Sequence, residues 1–288
     1  MKIAVLADIH ANFMGLQTVS EHIEAWNPDY VIVAGDFINR GPRPLECLHF
    51  LKDKQQRQNW KIIRGNHEDY VLTHADPDTP ISGPAAAVHH ASFWTYQEIQ
   101  KDISYLEMLP TLITQEGPTG DEIRVVHASM RGDRDGIYPE TTDEALREKI
   151  SLNNLDNQTY SLPSVLCVGH THRSFIRNLY QTLIVNVGSA GLPFDSDHRI
   201  AYSQLTWVKG IWKATIVRLN YDCTQAEKDF LESGYLEFGG PLTRLVLIEL
   251  QNAQSHLYYW AQRYQQRVLN GEISMEESVR EYIDFLSS

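Results

Sequence analysis

The sequence predicts an α/β protein, and three observations carry that prediction. Short β-branched runs, KIAVLAD (2–8), YVIVAGD (30–36) and WKIIRGN (60–66), alternate with helical patterns at roughly 13–26 and 44–57. Each run is almost continuously apolar, which suits a sheet covered on both faces by other layers. Each run also stops abruptly at Asp, Gly-Asp or Gly-Asn, and strand ends are where α/β folds collect function.

The remaining elements follow in chain order. Residues 75–87, ADPDTPISGPAAA, read as a loop leading into a helix from about 88 to 101. A second strand series is expected at about 111–115, 122–127 (EIRVVH), 164–169 (SVLCVG) and 183–187. Two last strands within 201–218 are joined by Lys209-Gly210 as a hairpin. After Asn220 the pattern is mainly helical, with 242–269 its longest piece and no cluster of ligand-type side chains. The expected division is a domain at 1–220 and a helical extension at 221–288. An apolar, aromatic helix of that kind packs on its own domain or forms a homodimer.

Composition narrows the function classes. At 288 residues, 42% hydrophobic and 22% charged, the chain has the make-up of a globular protein with a sizeable core. The N-terminus reaches Asp8 before an apolar signal region could form, and no run approaches the ~20 apolar residues of a membrane span. A cytoplasmic protein with no membrane partner is therefore expected. Cys47, Cys167 and Cys223 are odd in number and far apart, which suggests neither a disulfide framework nor a CxxC metal site. A net charge of −12 argues against binding duplex nucleic acid. It leaves room for a phosphate substrate, because a bound metal reverses the local field.

The strand ends carry the chemistry. They read Asp8-Ile-His10, Gly35-Asp36, Gly65-Asn66-His67-Glu68, His127 and Gly169-His170-Thr171-His172. Singly, each has a plain explanation: Asp caps helices and turns, Gly-Asn is a common turn pair, and a lone His is usually a hydrogen-bonded core residue. Turns do not require all of them together. Two Asp, one Asn and four or five His form the mixed oxygen and imidazole set that Mn, Fe and Zn accept.

These motifs resemble the calcineurin-like metallophosphoesterase superfamily: D-x-H (Asp8, His10), GDxxxRG (GDFINRG, 35–41), GNHE (65–68), a single His after a strand (His127) and GHTH (169–172). The compact bacterial phosphoesterases are the most similar group, since NVGSAGLPFDSDHRIAY (186–202) resembles their NPGSVG loop and ASFWTYQEI (91–99) the helix after their GNH. The likeness covers about residues 1–218. It implies a four-layer sandwich, two mixed sheets face to face with helices outside. It also implies two divalent metal ions (Mn, Fe, Zn or Ni), one held by Asp8, His10 and His172, the other by Asn66, His127 and His170, with Asp36 bridging. His67 corresponds to the family's histidine beside the metals, which protonates the leaving oxygen or steadies the transition state. The implied reaction is hydrolysis of a small phosphodiester or phosphomonoester, a nucleotide among the candidates, by a metal-bridging hydroxide. Arg40 matches the Arg of GDxxxRG and is expected at the phosphate, with Arg64 and Arg173 as further candidates for substrate contact.

Two departures stand out. Protein phosphatases of this superfamily carry Asp before the Arg of GDxxxRG, where this chain has Asn39, which counts against a protein-phosphatase mechanism. Val187 replaces the usual proline of NPGS. A dinucleoside polyphosphate hydrolase is a narrower alternative, suggested by NRGPRPLE (39–46). A non-catalytic scaffold that binds proteins, like the retromer-type relatives, is an alternative of another class, but such a module has no need to keep a full ligand set.

Overall fold

The computed structural model describes residues 1–154 and 159–287; Ser288, the last residue of the expected extension, lies outside them. The first sheet is built from β1 (Lys2–Leu6), β2 (Tyr30–Ala34) and β3 (Lys61–Ile63), all parallel. Helices Phe13–Trp26 and Pro44–Gln58 make the two crossovers. The second sheet begins with the hairpin β4 (Leu112–Glu116) and β5 (Glu122–Val126). After a short ribbon of β6 (Leu152–Asn154) and β7 (Thr159–Ser161) it continues through β8 (Val165–Val168), β9 (Phe175–Leu179) and β10 (Thr182–Asn186). The chain then returns to the first sheet as β11 (Ile200–Val208) and β12 (Ile211–Leu219), giving the orders β12-β11-β1-β2-β3 and β4-β5-β8-β10-β9. Both are mixed five-stranded sheets, with β5-β8 and β8-β10 parallel in the second.

The continuous apolar reading of the strands has a direct cause. Ile3, Val5, Ile32 and Ile63 pack against Ile123, Val125, Val165, Cys167 and Val185 of the facing sheet. Their alternate neighbours Ala4, Leu6, Val31 and Val33 pack against the crossover helices through Leu16, Val19, Leu48 and Leu51. With both faces covered, period-2 alternation of polarity disappears. The β11-β12 hairpin turns at Lys209 (φ 50°) and Gly210 (φ 84°), both left-handed as a two-residue turn of this hand requires.

Three expectations change in detail. The helix expected at about 88–101 runs His90–Ile99, and a shorter one, Gly83–Val88 with Pro84 in its first turn, forms inside the expected loop. Helix Asp143–Ile150, which buries Leu146 and Ile150, and strand β9 are further elements, absent from the sequence expectations. The long helix at 242–269 divides into Thr243–Asn252 and a segment starting at His256, with Ala253 left-handed at φ 51°. Glu249 makes the break stable: its carboxylate accepts the backbone N–H groups of His256 and Leu257, both at 2.7 Å, and caps the second helix from within the first. That second helix widens into a π turn over Ala261–Gln265 before finishing at Leu269.

The helices after Asn220 pack on the sandwich. Ala226, Phe230, Tyr235, Val246 and Leu250 share one buried cluster with Trp94 and Leu192. A second cluster, Leu242, Leu245, Trp260, Tyr264, Val268 and Val279, covers Ala87 and Val88. No helix among the described residues is long and apolar enough to cross a membrane.

Candidate metal centre

The strand ends singled out in the sequence converge at one edge of the sandwich. Asp8, His10, Asp36 and Asn66 come from the first sheet, and His127, His170 and His172 from the second; all but His170 are buried to within a few per cent. Potential ligand atoms of Asp8, His10 and His172 lie within 4.8 Å of one another, as do those of Asp36, His127 and His170, and those of His10, Asp36 and His67. Asn66 joins the second group, its Oδ1 2.9 Å from His170 Nδ1.

The backbone is bent to achieve this. Asp8, His10, Asp36, His170 and His172 all occupy the left-handed region, with φ of 55°, 48°, 57°, 67° and 56°. Each such L-residue costs about 1–2 kcal/mol. Strain of this kind concentrated on one set of side chains marks a functional site. The surrounding structure holds the bends in place. Glu68, fully buried, accepts the backbone N–H groups of Asp36, Phe37 and Gly65, each at 2.8 Å, and so ties the Gly35-Asp36 and Gly65-Asn66 turns together. Asp8 Oδ2 accepts from the His170 N–H at 2.8 Å. Asn186 donates to Gly169 O and Thr171 Oγ1, and Ser189 donates to Asp8 O. The NVGS loop thereby braces the GHTH turn, with Val187 buried in the interlayer core.

The donor set fits a metal ion. His10 Nδ1 donates to Asn39 O at 2.9 Å, His127 Nδ1 to Ala34 O at 2.8 Å, and His172 Nδ1 to Leu192 O. Carbonyl partners fix the tautomer and leave the lone pair on Nε2. Two such lone pairs, on His10 and His172, face each other at 3.1 Å, an arrangement that calls for a cation between them. Asp8 Oδ1, 3.4 Å from His172 Nε2, is buried with no hydrogen-bond partner.

Without a cation the cluster holds a proton instead. Burial pulls the His127 imidazole down, but Asp36 at 3.1 Å and Asp8 outweigh it and lift its pKa to about 10. Burial likewise opposes ionisation of Asp36, yet His127, His67 and His10 hold its carboxyl well below the usual range. Asp8 is raised, mainly by burial, and Glu68 is pushed to about 7 by burial and Asp36. His10 and His170 fall to about 4, mainly through burial. A metal ion competes for the lone pairs that this proton occupies.

The second candidate set is less uniform. His67 lies beside the cluster, its ring edge-on to His10 at 4.8 Å. Asn39 Oδ1 accepts from Arg40 N and Thr95 Oγ1, so its amide nitrogen faces His67 Nδ1 at 3.1 Å. His67 Nδ1 therefore accepts, and the ring proton sits on Nε2. Arg40 borders the cavity over the centre, but its guanidinium is held by both oxygens of Glu249, at 2.9 and 2.8 Å, and lies over the Phe194 ring. Arg64 turns away, to Glu107 O and Asp69, and is absent from the cavity wall; Arg173 lines the cavity paired with Glu140. The sequence reading gave no role to Glu68, Glu249, Phe194 or Tyr70, the last of which lines the cavity with its ring edge-on to His67 at 5.2 Å. Glu68 stood inside a quoted motif, whereas Glu249 lies 209 residues from its partner with no local signal.

A two-sheet α/β sandwich with this Asp, Asn and His cluster at one edge defines a metallophosphoesterase. The chain belongs to the calcineurin-like phosphoesterase family, whose model matches residues 1–174, and with that family it is a metal-dependent hydrolase of phosphoric esters. A Methanocaldococcus jannaschii protein, MJ0912, is 24% identical over 254 residues, 83% of this chain and 95% of its own length. The symmetrical bis(5'-nucleosyl)-tetraphosphatase of Actinobacillus pleuropneumoniae is 39% identical over 70 residues, 24% of this chain and 25% of that enzyme. The fold is shared with a metallophosphoesterase from Sphaerobacter thermophilus (TM-score 0.67, 22% identity, 88% of this chain and 99% of the other). It is also shared with Pyrococcus horikoshii PH1004 (TM-score 0.71, 19% identity, the same coverages).

Proposed function

We propose that this chain hydrolyses a small phosphodiester or phosphomonoester with two divalent metal ions bound. Asp8, His10 and His172 would hold one ion, Asn66, His127 and His170 the other, with Asp36 shared. The observation that carries the reading is the pair of adjacent donor groups, with histidine lone pairs aimed inward by backbone carbonyls and one carboxylate oxygen left without a partner. Bound metal ions would supply Lewis acidity to the phosphoryl oxygens and a nucleophile from water at neutral pH.

The protein's own side chains supply the rest. Burial holds His67 well below its ordinary pKa, so it stays neutral at pH 7. Asn39 keeps its proton on Nε2, from which it donates a hydrogen bond to the leaving or transferring oxygen. Asn39 thereby replaces the charge an aspartate would bring with a tautomer-setting hydrogen bond, which supports a small-molecule phosphoesterase over a protein phosphatase. Arg40, neutralised by Glu249, positions more than it attracts. The local match to dinucleoside tetraphosphatases supports a nucleotide among the substrates.

The test is hydrolysis of bis-p-nitrophenyl phosphate and p-nitrophenyl phosphate by metal-stripped protein reloaded with Mn. Metal-dependent turnover that falls about 100-fold or more in His67→Ala is expected. Tight metal binding without turnover under any common divalent ion would overturn the enzymatic reading.

A further inference from the structure

The cavity over the metal centre is about 1210 Å³, bounded by His67 and His170 at one end and by the C-terminal helices at the other. Sites for single small ligands run to roughly 300–1,000 Å³, so a phosphoryl group alone leaves most of this space empty. Part of the wall is aromatic, with Tyr138 on the His170 side. Tyr258 and Tyr259 are each 57% exposed and Tyr138 40%, while Trp260 and Tyr264 of the same helical segment are buried. Tyr138 comes from the loop before helix Asp143–Ile150 and has Tyr258 as an electrostatic neighbour, which adds to burial in raising its hydroxyl. Among the described residues the two rings do not stack on each other; Tyr258 meets only Tyr259, edge-on at 5.5 Å.

Two amides complete the wall. Gln254 and Gln265 both border the cavity, and among the described residues neither side chain hydrogen-bonds to the protein. Gln265 closes the π turn Ala261–Gln265, and π turns recur at functional sites. Aromatic faces recognise a ring by stacking, and free amides, each donor and acceptor, recognise a heteroaromatic edge. The cationic side chains at the wall are already matched, Arg173 by Glu140 and Arg40 by Glu249, so among the described residues the lining offers no unmatched charge to a second phosphate.

We infer that the C-terminal helices and Tyr138 form a subsite for a nucleobase carried by the phosphoester substrate. The inference rests on the phosphoesterase reading above and adds its substrate class and the part of the chain that selects it. An aliphatic or simple sugar phosphate would leave both rings and both amides facing water.

The experiment compares two diesters with the same leaving group, thymidine 5′-(p-nitrophenyl phosphate) and methyl p-nitrophenyl phosphate, on Mn-reloaded protein. Wild type should favour the nucleoside ester by roughly ten-fold or more in kcat/KM, mainly through KM. Tyr258→Leu and Tyr138→Leu, at exposed positions where the core is not opened, should collapse that ratio toward one. Tyr180→Leu, 67% exposed and outside the cavity wall, should keep it. Equal loss on both esters, or no change in the ratio, overturns the subsite. If wild type cleaves neither ester, the phosphoesterase reading fails, and binding of thymidine 5′-monophosphate to the metal-loaded protein decides the subsite. Binding that weakens in both Leu variants supports it; absent or unaltered binding overturns it.

Discussion

Arg40 Nη2 donates to both carboxylate oxygens of Glu249 across 209 residues, joining the GDFINRG motif to the C-terminal helices. Glu249 is fully buried and Arg40 side-chain exposure is only 13%, so the carboxylate has no water to fall back on and the guanidinium little. The guanidinium lies over Phe194, and Phe194 stacks on His172 at 4.2 Å. A residue of the extension is thus three contacts from the candidate metal centre. Removing one partner strands the other: Glu249→Gln should cost about 3–5 kcal/mol in urea unfolding. In a cycle with Arg40→Gln, the double variant should be less destabilised than the sum of the singles by about 2 kcal/mol. Strict additivity would mean the two charges do not act as a pair.

The metal-stripped protein should lose stability on mild acidification. An unfolded chain binds protons on histidine near the ordinary 6.5, whereas folded His10 and His170 do so near 4, and His67 and His172 are also held well below, in each case chiefly by burial. Between those values the unfolded state takes up protons that the fold refuses, so their stabilisation is present above 6.5 and lost as pH falls toward 4. Asp8, Glu68 and His127 act in the opposite direction, because their raised pKa values let the fold keep protons that the unfolded chain releases. The four depressed imidazoles outnumber these three groups. After chelation, Tm should be lower at pH 5 than at pH 7; a higher value at pH 5 would mean the three raised groups govern.

Gly35 should tolerate no side chain. Its φ is +87°, and an added Cβ would lie 2.6 Å from Gly65 N and 3.0 Å from His127 Nδ1. Gly35→Ala combines left-handed strain with a backbone clash at the junction of the two candidate metal-binding turns, so a loss of about 3 kcal/mol or more is expected by chemical denaturation. A near-neutral result would show that the turns separate easily.

Thiol chemistry should separate the cysteines. Cys47 and Cys167 are buried, and burial pushes both thiols well above their usual range, while Cys223 is half-buried. Native protein should react with DTNB at one thiol, and denatured protein at three. Rapid native labelling of all three would point to frequent opening of the interlayer core around Cys167.

The sandwich and the metal-site candidates were legible for a shared reason. Both depend on short-range pattern: apolar runs such as YVIVA, each followed at once by the residues that the turn must bend. What escaped was set by distance or by backbone detail. The break at Ala253 lacks glycine or proline and is held by Glu249 from the preceding turns. The expected phosphate ligand Arg40 reads locally as a free cation, and only the long return of the chain supplies its counter-charge. Arg64 is drawn off by Glu107 and Asp69, which sequence adjacency to GNHE does not reveal.

Neither sheet owns a complete set of the convergent side chains; the first gives Asp8, His10, Asp36 and Asn66, the second His127, His170 and His172. Sliding one layer past the other by a single residue, about 3.3 Å, would dissolve the Asp8/His10/His172 and Asp36/His127/His170 groupings at once. The edge therefore works as a vernier for the alignment of the two layers. Repacking between them, at Ile32, Val125 or Val185, would be felt in the spacing of these groups before it registered as a loss of fold.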